Sequence, residues 1–117
     1  MLEERKALRF DAIQGTRALA CDKIAQVLDV SKGGLSLLFL DETTNCIAGE
    51  LSIDILCNKN GLDARQIPGK VVWDREVSFS SIPGMVYKKV GIQFGKLSVP
   101  QQKMLKNMLF SCNTVAA

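Results

Sequence analysis

Short runs rich in Val, Ile, Leu and Phe recur along the chain between turn signals at "CDK", "KGG", "NKNG", "IPG" and "SIPGM". Repeated strand-length runs with turn chemistry between them are the pattern of an antiparallel sheet or barrel. Strands are expected around 13 to 20, 23 to 30, 34 to 40, 48 to 57, 67 to 79 and 86 to 95. Period-two alternation supports several of them. In "KVVWDREVSF", Val71, Trp73, Arg75 and Val77 are expected on one face and Lys70, Val72, Asp74 and Glu76 on the other. In "LSIDIL", Leu51, Ile53 and Ile55 line one face while Ser52 and Asp54 line a wet one.

The period changes at the end of the chain. Met104, Leu105, Met108, Leu109 and Cys112 recur at helical spacing, with Lys103, Lys106 and Asn107 elsewhere, which makes an amphipathic helix. "SVPQ" opens it as a capping box: Ser98 accepts from the Gln101 amide, Gln101 reaches back, and Pro100 is tolerated in the first turn. The apolar face is expected to pack across an open barrel end, with a partner surface as the alternative. The expected architecture is therefore mostly β: a six-stranded antiparallel barrel over 13–97, a C-terminal helix over 98–113, and a mobile, charge-dense N-terminal arm over 1–12.

With 117 residues, 47% of them hydrophobic, one core in one domain is expected. The net charge of +3 is too small for a general binder of duplex DNA or of an acidic membrane surface. Cys21, Cys46, Cys57 and Cys112 form no C-x-x-C pair and histidine is absent, so neither a zinc site nor a histidine-based hydrolase is expected. The cysteines read as small buried apolar residues in a reduced compartment. "MLEERKALRF" has no apolar stretch of signal-peptide length, and no run approaches ~18 apolar residues, so a cytoplasmic protein without membrane insertion is expected.

Two polar stretches stand out. "DVSKGG" (29–34) joins the apolar runs "IAQVL" and "LSLLFL"; as a plain turn, its glycines would supply positive φ and its Asp a local hydrogen bond. "RKALR" places Arg5 and Arg9 four residues apart with Lys6 between them, by itself a solvated helical turn. Arg9 precedes Asp29 by twenty residues, enough for a hairpin to leave and return, so the arm can fold back over the turn.

"RKALR" followed at this distance by "DVSKGG" resembles the R-x-x-x-R and D-x-S-x-x-G signature of the PilZ domain family. "KVGIQFGKLSVPQQKMLKNMLF" is similar to the family's closing strand and C-terminal helix, so the resemblance covers nearly the whole chain. It implies a six-stranded barrel that binds the bacterial second messenger cyclic di-GMP, with Arg5 and Arg9 carrying the arm motif and Asp29, Ser31 and Gly34 the turn motif. Glu4 precedes Arg5 where many members have a further arginine.

These residue types suit that ligand. An arginine fork donates bidentately to phosphate or to a guanine O6/N7 edge and stacks on purines. Ionised Asp29 accepts from guanine N1–H and N2–H or orients an arginine, Ser31 donates or accepts, and Gly34 leaves room for close approach. Lys6, Gly33 and Trp73 are additional candidate contacts, Trp73 as a stacking face whose rival role is core or rim packing. Arg65 and Arg75 are weaker candidates for phosphate. Binding is expected to order the arm and to signal to a downstream protein partner or a linked domain.

The rival class is a PilZ-like adaptor that binds protein and no nucleotide. A small barrel for single-stranded nucleic acid would want aromatic platforms, and only 6% of residues are aromatic. "GIQFGK" is no phosphate loop, since Gly91 and Gly95 are one residue too close and Leu97 stands where a magnesium-binding Ser or Thr belongs. No enzyme is expected, and no metal or cofactor beyond the nucleotide ligand.

Overall fold

The structure is a computed structural model and describes residues 9–42, 48–59 and 61–112. Seven strands and one helix follow in order: β1 Phe10–Asp11, β2 Arg17–Ala20, β3 Lys23–Ser31, β4 Gly34–Glu42, β5 Glu50–Cys57, β6 Leu62–Phe79, β7 Met85–Phe94 and α1 Val99–Ser111. Every pairing is antiparallel, and the ring β3-β2-β5-β6-β7-β4 closes through β3–β4 into a six-stranded barrel. Alternation fills the lumen: Val30, Leu35, Leu37, Ile53, Ile55, Ile67, Val90 and Ile92 are all at most 2% exposed. Burying each of these stabilises by about 1.5–3 kcal/mol.

The expected barrel and helix are both present. α1 begins at the Ser98 cap, whose Oγ accepts from the Gln101 amide at 3.2 Å while Gln101 Oε1 accepts from the Ser98 amide at 2.9 Å. Leu105 and Met108 enter the barrel core, and Met104, Leu109 and Cys112 pack against it. Burial pushes the Cys112 thiol up from its ordinary value. Gln101 also donates through Nε2 to the carbonyls of Arg65 and Gln66, tying the helix start to β6.

Four local expectations are corrected. Residues 13–16 turn instead of extending: Thr16 donates through both its amide and its Oγ1 to the Ile13 carbonyl, and Gly15 takes φ +94°. "IPG" lies inside β6, not at a turn. Gly69 is needed there because a Cβ would sit 2.6 Å from Ile92 Cγ2. β6 therefore starts at Leu62, bent by a bulge in which Arg65 and Gln66 oppose Asp54; Gln66 adopts φ +55° and its amide donates to Asp54 Oδ1. A second bulge, between Val71 and Trp73, breaks the alternation expected in "KVVWDREVSF": Val71 packs on the core and Trp73 lies outside. Cys21, expected buried, is exposed in the β2–β3 turn, whereas Cys57 is buried.

Charge also enters the barrel. Asp41, fully buried, lies 3.0 Å from Lys23 Nζ and 3.5 Å from Lys88 Nζ, and Lys88 donates to the Glu42 carbonyl at 2.9 Å. Its hydrogen bond to Asp41 holds the Lys23 ammonium above the usual lysine range. No helix among the described residues is long and apolar enough to cross a membrane.

Candidate functional site

β1 is the device that brings the N-terminal segment to the turn. β2 covers only the first half of the β3 edge, with Arg17 opposite Gln26 and Ala20 opposite Lys23. β1 takes the second half, with Phe10 opposite Val30 and Asp11 opposite Asp29. Arg9 therefore arrives beside the end of β3, and its Nη1 lies 2.5 Å from Asp29 Oδ1, both side chains about one-fifth exposed. Of the expected site residues, Arg5 and Lys6 lie outside the described residues.

The "DVSKGG" turn is tight, with Ser31 opposite Gly34. Ser31 Oγ accepts from the Gly33 amide at 3.3 Å and donates to the Gly34 carbonyl at 3.4 Å, and β7 fastens the loop through Phe94 N–H to the Gly33 carbonyl. Neither glycine adopts the positive φ expected of it. Gly34 is demanded by its neighbour: a Cβ there would fall 2.1 Å from the Ile92 carbonyl oxygen. Gly33 has open space around its Cα.

Strand register extends the site across the outer wall. Asp29 is opposite Ser36, Ser36 opposite Gly91, and Gly91 opposite Trp73. Directly opposed residues share a face, so one row runs from the Arg9–Asp29 pair to the tryptophan. Trp73 lies on Gly91, where a Cβ would come within 2.2 Å of its Cε2 and Nε1, and the Arg75 guanidinium sits 5.7 Å from the indole centroid. A second outer row runs Ser31, Gly34, Gln93, Lys70, Glu50. A groove of about 460 Å³ follows its far end past Gln93, Lys70 and Lys96.

The structure thus gathers Arg9, Asp29, Ser31, Gly33, Gly34 and Trp73 on one outer wall. Arg65 is elsewhere, paired with Asp63 and Asp54 near the helix start; the hydrogen bond it donates to Asp63 holds its guanidinium above its ordinary value. Sequence reasoning missed Ser36, Gly91, Lys70 and Gln93. No spacing rule exposes them, since they join the site only through register, and the bulge before Trp73 decides which face it takes.

The molecule is a small antiparallel barrel domain, closed by a C-terminal helix, with an arginine and a carboxylate brought together on its outer wall. The chain belongs to the PilZ domain family, whose model matches residues 4–111. Among solved structures it is similar to the PilZ domain with c-di-GMP of YcgR from Escherichia coli, with TM-score 0.68, 14% identity, and 94% of this chain and 92% of that one covered. It is also similar to the MrkH–c-di-GMP complex of K. pneumonia, with TM-score 0.68 and 16% identity over 94% of this chain and 52% of that one. The inhibitor of motility MotI/DgrA of Bacillus subtilis has TM-score 0.60 and 17% identity over 93% of this chain and 51% of that one. At these identities the likeness is one of fold. No curated protein matches the sequence.

Proposed function

We propose that the chain is a receptor domain for cyclic di-GMP that holds the nucleotide on the outer wall between the Arg9–Asp29 pair and Trp73. The observation that carries this reading is the Arg9 guanidinium docked on Asp29 across twenty residues of chain. One carboxylate oxygen orients the fork and leaves further guanidinium donors for a phosphate or a guanine edge. Two of the similar structures are complexes with c-di-GMP, which supports the same ligand here.

Arg9, Asp29, Ser31 and Gly34 form the described part of the site, Arg5 completes it from the arm, and Lys6, Gly33 and Trp73 flank it. Ser31 and Gly34 also hold the turn, Ser31 through its hydrogen bonds with Gly33 and Gly34 and Gly34 through its close approach to Ile92. The messenger transmits by drawing the segment before Arg9 onto the barrel, which changes the surface offered to a partner or a linked domain. A ligand signals only through its different affinity for the two arrangements.

Calorimetric titration of cyclic di-GMP, with GMP as the control nucleotide and Arg9→Ala and Asp29→Ala as variants, tests the reading. Saturable binding at about −8 kcal/mol, a micromolar complex, that GMP does not reproduce and both variants lose is the expected result. A folded wild type that binds nothing overturns it. A protein-binding adaptor would then lead, on the apolar surface at the outer end of the β6–β7 hairpin, where Phe79 is 89% and Ile82 51% exposed.

A further inference from the structure

One polar atom in the outer row has no use in the fold described so far. The Ser36 hydroxyl is buried, the residue being 1% exposed, and it has no hydrogen-bond partner among the described residues. Buried hydroxyls are nearly always hydrogen-bonded, and an alanine would fill a purely packed position without that penalty.

Its location suggests what the hydroxyl is for. Ser36 is opposite Asp29 on one side and Gly91 on the other, and Gly91 lies under the Trp73 indole. Neighbouring strands are about 4.8 Å apart, so Asp29 and Trp73 stand on strands roughly 14 Å apart, with Ser36 on a strand between them. A ligand that engages the Arg9–Asp29 pair and stacks on the tryptophan must cross Ser36. Trp73 is a surface side chain, 37% exposed, resting on Gly91 where no Cβ holds it off, so among the side chains beside Ser36 in this row it is one free to swing.

We propose that the Ser36 hydroxyl is a further ligand-contacting group of this site, reached when the Trp73 indole moves off Gly91. The proposal rests on the receptor reading above. Nucleotide binding supplies the missing partner, and Trp73 passes from lying on Gly91, the register neighbour of Ser36, to stacking on the ligand. A base edge, a ribose hydroxyl or a phosphate oxygen all present atoms that a serine can donate to or accept from.

The test compares wild type, Ser36→Ala and Asp29→Ala by calorimetry with cyclic di-GMP, by urea unfolding, and by the emission of Trp73, the chain's one tryptophan. The expected result is an affinity weaker by about fivefold or more in Ser36→Ala, a urea midpoint equal to or above wild type, and a wild-type emission change on saturation. Wild-type affinity in Ser36→Ala while Asp29→Ala loses binding overturns the proposal and leaves the receptor reading standing. Weakened binding with a lowered midpoint also overturns it, because the hydroxyl then belongs to the packing, as does emission that ligand leaves unchanged. A wild type that binds no cyclic di-GMP overturns both readings.

Discussion

Gly34, in the turn motif, and Gly91, outside it, show how a glycine on the candidate site's wall can be required by the barrel itself. Both lie on the outer face, and both lack space for a side chain, but for different reasons. At Gly34 the obstacle is the Ile92 carbonyl oxygen, part of a ladder that cannot shift without parting β4 from β7. At Gly91 it is the Trp73 indole, a side chain that can swing outward. Gly91→Ala is therefore expected to cost about 1–2 kcal/mol in urea unfolding and to red-shift Trp73 emission, while Gly34→Ala costs about 3 kcal/mol or more. Equal losses would mean that the two contacts are equally rigid. At this scale the sequence was informative for Asp29, which the spacing to Arg9 made a candidate arginine partner. It was silent on Ser36, which joins the row only through strand pairing with Asp29 on one side and Gly91 on the other.

The elements were legible wherever one period ran unbroken. "LSIDIL" alternates, and Ile53 and Ile55 are both fully buried; the helix was visible in its spacing and in its capping box. β6 was legible only in part. Pro68 and Gly69 carry turn chemistry yet lie inside a strand, because one bulge bends β6 before them and Gly69 makes room for Ile92. A local signal cannot distinguish a glycine that turns the chain from one that admits a neighbour. The helix start has a similar double role, since Gln101 both closes the capping box and binds the β6 carbonyls at the bulge. Gln101→Ala is therefore expected to cost more than Ser98→Ala, which loses the cap alone at about 0.5–2 kcal/mol. Thermal or urea unfolding of the two variants decides it, and an equal or smaller cost for Gln101→Ala would show that the link to β6 contributes nothing.

At the scale of the whole molecule, six strands of period-two sequence closing into one barrel were legible, but the way the N-terminal segment meets it was not. Phe10 and Asp11 are too few to read as a strand, and they pair because β2 leaves half of the β3 edge uncovered. This short pairing places Arg9 on Asp29, so on the proposed receptor reading the fold itself holds this arginine in place, and the ordering proposed to accompany binding concerns the residues ahead of Arg9. Amide exchange measured with and without cyclic di-GMP follows that division of labour. Protection is expected to rise on ligand addition in residues 4–8, while Phe10 and Asp11, already paired with β3, change much less. Unchanged exchange in residues 4–8 at saturating ligand would remove arm ordering as the route of the signal. An equally large rise at Phe10 and Asp11 would mean that the β1 pairing itself opens in the free protein and that the messenger closes it.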